Sequence, residues 1–216
     1  GHGSALGAAA LTAQVECSDP GSLSFAERFA FAEVDRQVEQ VKILGNEQPP
    51  EFPPGVEVVT VAARPELLRA AYDLAVQAYS YMATPWPASI ALDEWLREEA
   101  THPAGSFVAL ANGEIVGYSG LMRDHDDPAK AEDGLTAVRR DWRRRGLATA
   151  LKRAELAWAA GSGLREVYTW TQRGNEGMRR VNEGLGYRYR HVSVTLSAPL
   201  AAAERALASS AAARIN

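Results

Sequence analysis

The sequence predicts an α+β fold, in which a mixed β-sheet is flanked by helices, because three local patterns recur along most of the chain. β-Branched runs such as residues 56–61 are typical of strands. Apolar residues at helical spacing, as in the stretch from Pro65 to residue 81, are typical of amphipathic helices. Asn112-Gly113 stands between two apolar runs, and this arrangement predicts a β-hairpin.

From residue 56 onward the predicted elements follow the order βααβββαβαβ, which is that of one α+β sheet domain. The predicted helices cover residues 65–81, 90–99, 147–160 and 176–185. The predicted strands cover residues 56–61, 107–110, 115–122, 135–138, 167–171 and 188–196.

A proline-rich stretch divides the chain. Residues 46–55 contain four prolines, which cannot continue a helix or an interior strand, so we expect a linker there. It separates a short N-terminal part, residues 1–45, from a complete domain over residues 56–197. Residues 198–216 form an alanine-rich tail to which no function is assigned.

Composition excludes several classes of function. With a formal net charge of -4, the chain lacks the basic excess of nucleic-acid-binding domains. No apolar run reaches the roughly 18 residues that a membrane span needs. Cys17 is the single cysteine, so no intrachain disulfide is possible, and a reducing, cytoplasmic location is expected. His125 stands among aspartates, but a polar turn before Pro128 is favoured there, and no metal is expected.

A basic loop lies between the strand that ends near Val138 and the helix that begins at Leu147. Five of the eight residues 138–145 are arginines. A helix N-terminus offers unpaired N–H groups and the positive end of the helix dipole, so it binds anions. Gly146 has no side chain to obstruct an approaching anion. The loop therefore predicts a site for a polyphosphate, with an ordinary solvated turn as the alternative.

Two motifs in this region resemble the GNAT superfamily of N-acyltransferases. Arg143-x-x-Gly146-x-Ala148 matches the family pattern Gln/Arg-x-x-Gly-x-Gly/Ala, although Arg140 stands where the family usually has proline. Residues 175–187 resemble the block Asn-x-x-Ala-x-x-x-Tyr-x-x-x-Gly-Phe. The resemblance covers about residues 56–197, and the two motifs follow each other on the expected elements.

The resemblance implies two central parallel strands that splay apart and hold acetyl-CoA, with its pyrophosphate on the N–H groups of residues 143–149. It also implies direct transfer of the acetyl group to an amine, without an acyl-enzyme. The residues expected to contact the cofactor are Thr136, Ala137, Val138, Arg143, Arg144, Arg145, Gly146, Leu147, Ala148, Thr149 and Asn175.

Direct transfer needs a base for the amine and a proton donor for the leaving thiolate. Glu132, expected just before the strand that leads into the loop, is a candidate base, with a solvated loop charge as the alternative. The family tyrosine is replaced by Asn182, which we expect at the cleft edge, where it donates a hydrogen bond to the thioester sulfur or orients a water. Tyr189 or Tyr118 is expected to replace the missing phenol if an acid is needed.

The acceptor is expected to be a small amine. Tyr79 and Tyr81 lie at the end of the first predicted helix and Trp86 follows it. In the family this region borders the acceptor pocket, although packing is the favoured role for these side chains. The alternative function is a non-catalytic acyl-CoA-binding or scaffolding module, because fold alone does not fix activity.

The N-terminal part resembles a second, incomplete copy of the same family. Residues 19–31 align with residues 175–187, and the strand predicted after residue 32 corresponds to that after residue 188. Residues 1–6 align with residues 146–151. The fold is therefore expected to carry a partial N-terminal GNAT-like repeat over residues 1–45 that packs on the second domain.

Overall fold

The computed structural model of this protein describes residues 9–81, 90–203, 205 and 206. The eight strands are β1 (Ala10–Glu16), β2 (Ala32–Ile43), β3 (Glu57–Thr60), β4 (Phe107–Ala111), β5 (Glu114–Arg123), β6 (Lys130–Val138), β7 (Glu166–Gln172) and β8 (Arg188–Pro199). The five α-helices are α1 (Pro20–Arg28), α2 (Glu66–Ser80), α3 (Leu92–Glu98), α4 (Leu147–Gly161) and α5 (Glu176–Gly184). From β3 onward the predicted order of elements is confirmed.

The chain divides into two compact units, Gln40–Tyr189 and a second formed by Gly1–Glu39 with Arg190–Asn216. This division differs from the one predicted at residues 46–55. The reason is that β1 pairs antiparallel with the end of β8, from Glu16 opposite Ser193 to Ala10 opposite Pro199. The end of β8 therefore belongs with the N-terminal residues.

In the larger unit the strands follow the order β2–β7–β6–β5–β4–β3. The β6–β7 pair is parallel, whereas β3, β4, β5 and β6 pair antiparallel in succession, so the predicted mixed sheet is confirmed. Successive residues of a strand point to opposite faces. On β4, Val108 and Leu110 pack with α2 and α3, while Ala109 and Ala111 pack with Leu147 on α4. Helices thus cover both faces.

The parallel pair between β6 and β7 is short. Its paired residues run from Lys130 opposite Glu166 to Glu132 opposite Tyr168. Both strands continue beyond that point, to Val138 and Gln172. The two strands therefore part after three residues, as the family resemblance predicts, and a gap opens at their carboxyl ends.

Two βαβ segments of the chain have the same element bounds at a constant spacing. The first segment is residues 10–43 (β1–α1–β2) and the second is residues 166–199 (β7–α5–β8), and every element begins 156 positions later (10 and 166, 20 and 176, 32 and 188). Their turns match as well, since Phe31 N–H donates to Ala26 O at 2.9 Å and Tyr187 N–H donates to Asn182 O at 3.0 Å. The predicted alignment of residues 1–6 lies outside the described residues.

Candidate active site

The gap between β6 and β7 is a cleft of about 530 Å³ in the larger unit. Residues 135–138 of β6 form one wall, and the loop and first turn of α4, from Trp142 to Thr149, form the floor. Residues 172–175 and the first turns of α5 close the other side, while Ala78 and Tyr81 from the end of α2 complete the lining.

The N-terminus of α4 opens into this cleft without a capping side chain. Its cap residue, Gly146, has φ 81°, a left-handed conformation that glycine adopts without steric cost. The first helical bond runs from Ala150 N–H to Gly146 O at 3.0 Å. The N–H groups of residues 147–149 therefore have no partner inside the helix and offer donors, with the helix dipole, to an anion.

The arginines of the loop have different surroundings. Arg143 and Arg144 line the cleft, and Arg143 Nε also donates to Val138 O at 3.0 Å. Arg139 instead pairs with Asp141 and Glu114, at 2.8 Å in each case. Arg145, expected at the cofactor, stacks its guanidinium on the Trp142 ring with 4.7 Å to the centroid. Its charge adds to the local potential without its side chain lining the described cleft.

The remaining residues expected at the cofactor lie along the cleft. Thr136, Ala137 and Val138 form the β6 wall, and the Thr136 hydroxyl is 3.0 Å from that of Ser119. Asn175 lines the opposite side and caps α5, accepting a hydrogen bond from Met178 N–H at 3.3 Å. The cofactor-contact role of all these residues stays a prediction.

Asn182 lies elsewhere than expected. The cleft is lined from α5 by Met178 and Val181, whereas Asn182 is fully buried. Its Nδ2 donates to Gln40 Oε1 at 2.9 Å and to Thr171 Oγ1 at 3.3 Å. A residue after Val181 is rotated about a quarter turn around the helix, so Asn182 faces the interior and its donors are already engaged. The expected hydrogen bond to a thioester sulfur does not fit this position.

The two tyrosines considered as proton donors also lie away from the cleft lining. Tyr189 is 55% exposed on β8, and its hydroxyl donates to Glu183, which raises the pKa of the phenol. Tyr118 is fully buried on β5, and its hydroxyl donates to Glu99 Oε1 at 3.0 Å. Neither is a cleft-lining donor.

Glu132 occupies a strand rather than the predicted loop. It lies within β6, opposite Met122 on β5 and opposite Tyr168 at the last paired position before the strands part. The Tyr168 hydroxyl donates to Asp124 at 2.9 Å. Two-sided pairing makes this stretch a strand, which the sequence signal at residues 135–138 did not reveal. Glu132 thus lies where β6 and β7 part and is not among the residues that line the cleft.

A buried charged cluster, which the sequence did not reveal, lies beside the point where the strands part. Asp133 follows Glu132, the last residue of β6 that pairs with β7, and its carboxylate accepts a hydrogen bond from the Lys152 ammonium on α4. The Tyr187 hydroxyl donates to the same oxygen at 2.8 Å. Burial, followed by the Asp133 charge, raises the pKa of Glu155 well above its usual range, so we expect this carboxyl to be neutral beside one balanced ion pair.

Of the residues expected near the acceptor, Tyr81 lines the cleft. It is 59% exposed, and the Arg143 guanidinium lies over its ring, 5.1 Å from the centroid. Tyr79 is partly buried against the α2–α3 core. Trp86 lies outside the described residues.

Two global features of the described residues bear on function. In the part of the chain that the structure describes, no three His, Cys, Asp or Glu side chains converge as metal ligands. Within the same residues, no helix combines the length and apolarity that crossing a membrane requires.

Comparison with known proteins places the cleft in a recognised family. The sequence profile of the acetyltransferase (GNAT) family matches residues 68–187. Mycothiol acetyltransferase of Streptomyces coelicolor is 30% identical over 199 residues, which are 87% of this chain and 63% of that protein.

Solved structures show the same fold. A GCN5-related N-acetyltransferase from Sphaerobacter thermophilus has a TM-score of 0.72 at 24% identity, over 88% of this chain and 60% of that one. A tandem GNAT protein from the clavulanic acid biosynthesis pathway has a TM-score of 0.63 at 25% identity, over 89% and 64%. This chain thus spans about three-fifths of the length of the relatives that it matches.

Proposed function

The chain belongs to the acetyltransferase (GNAT) family, and from that premise we propose that it transfers an acetyl group from acetyl-CoA to the amine of a small molecule. The observation that carries this proposal is the cleft between β6 and β7, into which the uncapped N-terminus of α4 opens. Its volume, basic loop and free helical donors suit a polyphosphate cosubstrate.

In this proposal the pyrophosphate of acetyl-CoA binds to the N–H groups of residues 146–149, assisted by Arg143 and Arg144. The pantetheine arm lies along residues 136–138 of β6, whose partner strand has turned away and left that edge unpaired. Met178 and Val181 of α5 contribute apolar surface on the opposite side. Acetyl-CoA is a substrate of the proposed reaction.

The reaction is a direct displacement. The acceptor nitrogen attacks the thioester carbonyl, a C–N bond forms and the C–S bond breaks, so the products are an amide and CoA. The amine gives one proton to a base, and the thiolate of CoA takes up a proton from its surroundings. Glu132, at the point where β6 and β7 part, is the candidate base predicted from the sequence. Asn182 has no part in this step, because its amide is engaged in the interior.

The similarity to a mycothiol acetyltransferase supports a small-molecule acceptor. Tyr81 and the end of α2 border the cleft on the side from which such an acceptor would approach. A cytoplasmic location stays a prediction from the single cysteine.

We further propose that residues 10–43 are part of a first GNAT-like repeat. The constant spacing of 156 positions between the two βαβ segments supports this proposal, and so does the likeness to a tandem GNAT protein. The packing of this partial repeat on the second domain stays a prediction.

The test compares Gly146→Glu with Gly113→Glu. Both glycines have positive φ and open space around the Cβ position, so backbone strain is matched. Only Gly146→Glu places a carboxylate where the pyrophosphate is proposed to bind. At a hundredfold excess over Kd, acetyl-CoA stabilises a protein by about 2.7 kcal/mol.

We expect acetyl-CoA to raise the melting temperature of the wild type and of Gly113→Glu, and not of Gly146→Glu. An equal rise in all three proteins would contradict the proposed site. Release of CoA in the presence of spermidine, tyramine, glucosamine and lysine then separates an enzyme from the alternative, a non-catalytic acyl-CoA-binding module. Binding without turnover of any amine would favour that module.

A further inference from the structure

Glu99 is a further buried carboxyl near β6, in addition to the half-buried Glu132. Glu99 is the cap residue at the C-terminus of α3 and is 7% exposed. Its Oε1 accepts the hydroxyl proton of Tyr118 at 3.0 Å, and its carboxyl also accepts the backbone N–H of Leu135. Leu135 itself lines the cleft. Glu99 does not itself line the cleft of the structure, but its carboxyl is one hydrogen bond away from the strand along which acetyl-CoA is proposed to lie.

The sheet is shaped to admit this carboxyl. The register between β5 and β6 shifts between Ser119 and Leu121, because two residues of β6, Gly134 and Leu135, stand opposite Gly120 alone, which is a β-bulge in β6. A Cβ atom at Gly120 would overlap both the Glu99 carboxyl and the Tyr118 hydroxyl. The bulge and the missing side chain therefore create the space that Glu99 occupies, so its position is built into the fold.

The surroundings of Glu99 tune its proton affinity. Burial raises its pKa to about 7, and the hydrogen bond from Tyr118 opposes that rise. The nearby negative charges act in the same direction as burial. The titratable groups that face Glu99 are Tyr79 from α2, Tyr118 from β5, Glu132 and Asp133 from β6, and Glu155 from α4.

We propose that Glu99 is the base that accepts the proton lost by the acceptor amine. The inference rests on the proposed acetyl transfer and adds a catalytic residue to it. As the C–N bond forms and the C–S bond breaks, one N–H proton of the amine moves to a Glu99 oxygen, and the neutral carboxyl later returns it to solvent. Glu132 then supplies a neighbouring negative charge rather than the proton acceptor.

The decisive variant is Glu99→Gln, which keeps an oxygen for the Tyr118 and Leu135 donors and removes the proton acceptor. Glu98→Gln is the matched control, because Glu98 is the exposed neighbour that pairs with Arg97 at 2.7 Å. Glu132→Gln tests the other candidate base. CoA release with the best acceptor of the amine panel is measured from pH 5.5 to 9.5. The acceptor's own ionisation is common to all variants and cancels in their ratios.

In the wild type and Glu98→Gln we expect kcat/KM to fall about tenfold per pH unit below a midpoint near 7. In Glu99→Gln the part of this fall that is not due to the acceptor's own ionisation should be absent. The kcat should decrease about 10²–10⁴-fold, whereas the KM for acetyl-CoA should be unchanged. The proposal is overturned if Glu99→Gln has a kcat within threefold of the wild type or retains the fall of kcat/KM at acidic pH. If the fall of kcat/KM at acidic pH is absent only in Glu132→Gln, the base is Glu132 and the proposal is overturned.

Tyr118→Phe provides an independent test, because it removes a hydrogen bond that lowers the pKa of Glu99. The midpoint of the acidic fall should move to higher pH, which a purely structural role of Glu99 would not produce. This variant decides the matter if Glu99→Gln does not fold, and an unmoved midpoint overturns the proposal. Absence of turnover in the wild type with every amine would instead refute the acetyl transfer itself.

Discussion

Helices α1 and α5 occupy corresponding places in the two βαβ segments, yet the interiors beneath them differ in chemistry. Beneath α5, Asn182 is hydrogen-bonded to Gln40 on β2 and to Thr171 on β7. At the corresponding positions beneath α1 stand Ala26, Leu196 and Val15, which pack in an apolar cluster. In both cases the strand beneath the helix is supplied by the other segment, β2 for α5 and β8 for α1.

The difference shows that the residues at the two ends of the helix, rather than those beneath it, determine where the elements of this βαβ motif begin and end. Asp19 and Asn175 accept hydrogen bonds from N–H groups in the first turns of α1 and α5. Ala30 and Gly186, both with positive φ, end the two helices. Since these local signals fix the bounds, the interior is free to vary.

The polar interior belongs to the segment that carries the cleft. Hydrogen bonds are directional, so the Asn182 network fixes the rotation of α5 about its axis more tightly than apolar packing does. Met178 and Val181, on the same helix, line the cleft. We therefore expect the network to hold these two side chains in place, a constraint that the described residues of α1 do not need.

The largest effect is expected when the polar residue is moved into the apolar interior. Ala26→Asn places at a buried position an amide whose neighbours, Val15 and Leu196, cannot hydrogen-bond. These three residues border a cavity of about 340 Å³, so the added side chain has room and the cost comes from the amide without a partner. This cost should be about 2–4 kcal/mol of unfolding free energy, measured by urea titration. The triple variant Val15→Thr/Ala26→Asn/Leu196→Gln reproduces the other interior and should recover part of the loss. A single variant as stable as the wild type would show that the two interiors are interchangeable.

A smaller effect is expected when the network is removed from α5. Asn182→Ala leaves Gln40 Oε1 with only the longer hydrogen bond from the Thr171 hydroxyl, at 3.5 Å, and should cost about 1–3 kcal/mol. Among the described residues, Gln40 Nε2 and Asn182 Oδ1 have no hydrogen-bond partner, so the network is only partly satisfied. Asn182→Ala/Gln40→Leu removes both amides and should be close to the wild type in stability.

The cleft provides the second readout for these variants. If the network positions α5, the double variant should keep its stability but raise the KM for acetyl-CoA severalfold. A double variant as unstable as the sum of the single variants would mean that the polar interior is itself a source of stability, contrary to this comparison.

Local signals in the sequence were enough for most of the fold and for the floor of the cleft. Asn112-Gly113 does connect β4 and β5, and the glycine that precedes Leu147 does cap α4 in a left-handed conformation. Such features depend on the conformational preferences of one or two residues. The basic loop and its helix N-terminus were therefore predictable from a stretch of a dozen residues.

Contacts between residues distant in sequence were not predictable in this way. Asn182 was expected at the cleft edge, but its side chain contacts Gln40, 142 positions away. The position of Glu99 depends on a β-bulge in β6 opposite Gly120, and the domain division depends on the pairing of β1 with β8. None of these follows from the periodicity of one element.

The smallest effect, and the sharpest test of the comparison, concerns the residues that end the two helices. Ala30 has φ 63°, a conformation that costs a non-glycine residue about 1 kcal/mol or more, whereas Gly186 adopts φ 90° freely. Glycine loses about 0.5–1 kcal/mol more conformational entropy on folding than alanine does. Ala30→Gly should therefore be stabilising by about 0.5 kcal/mol, and Gly186→Ala destabilising by about the same amount.

Sterics do not obscure this result, because a Cβ atom at Gly186 would meet only the flexible end of Lys42, with Nζ 3.1 Å away. Gly45→Ala is the control, since no atom lies within 4 Å of its Cβ position and its φ is not positive. The control should be slightly stabilising, because alanine reduces only the entropy of the unfolded chain. Opposite signs for Ala30→Gly and Gly186→Ala in urea titrations would show that both helices end by the same backbone requirement. A destabilising Ala30→Gly would show instead that the alanine side chain is needed there, and that the two segments share their bounds for different reasons.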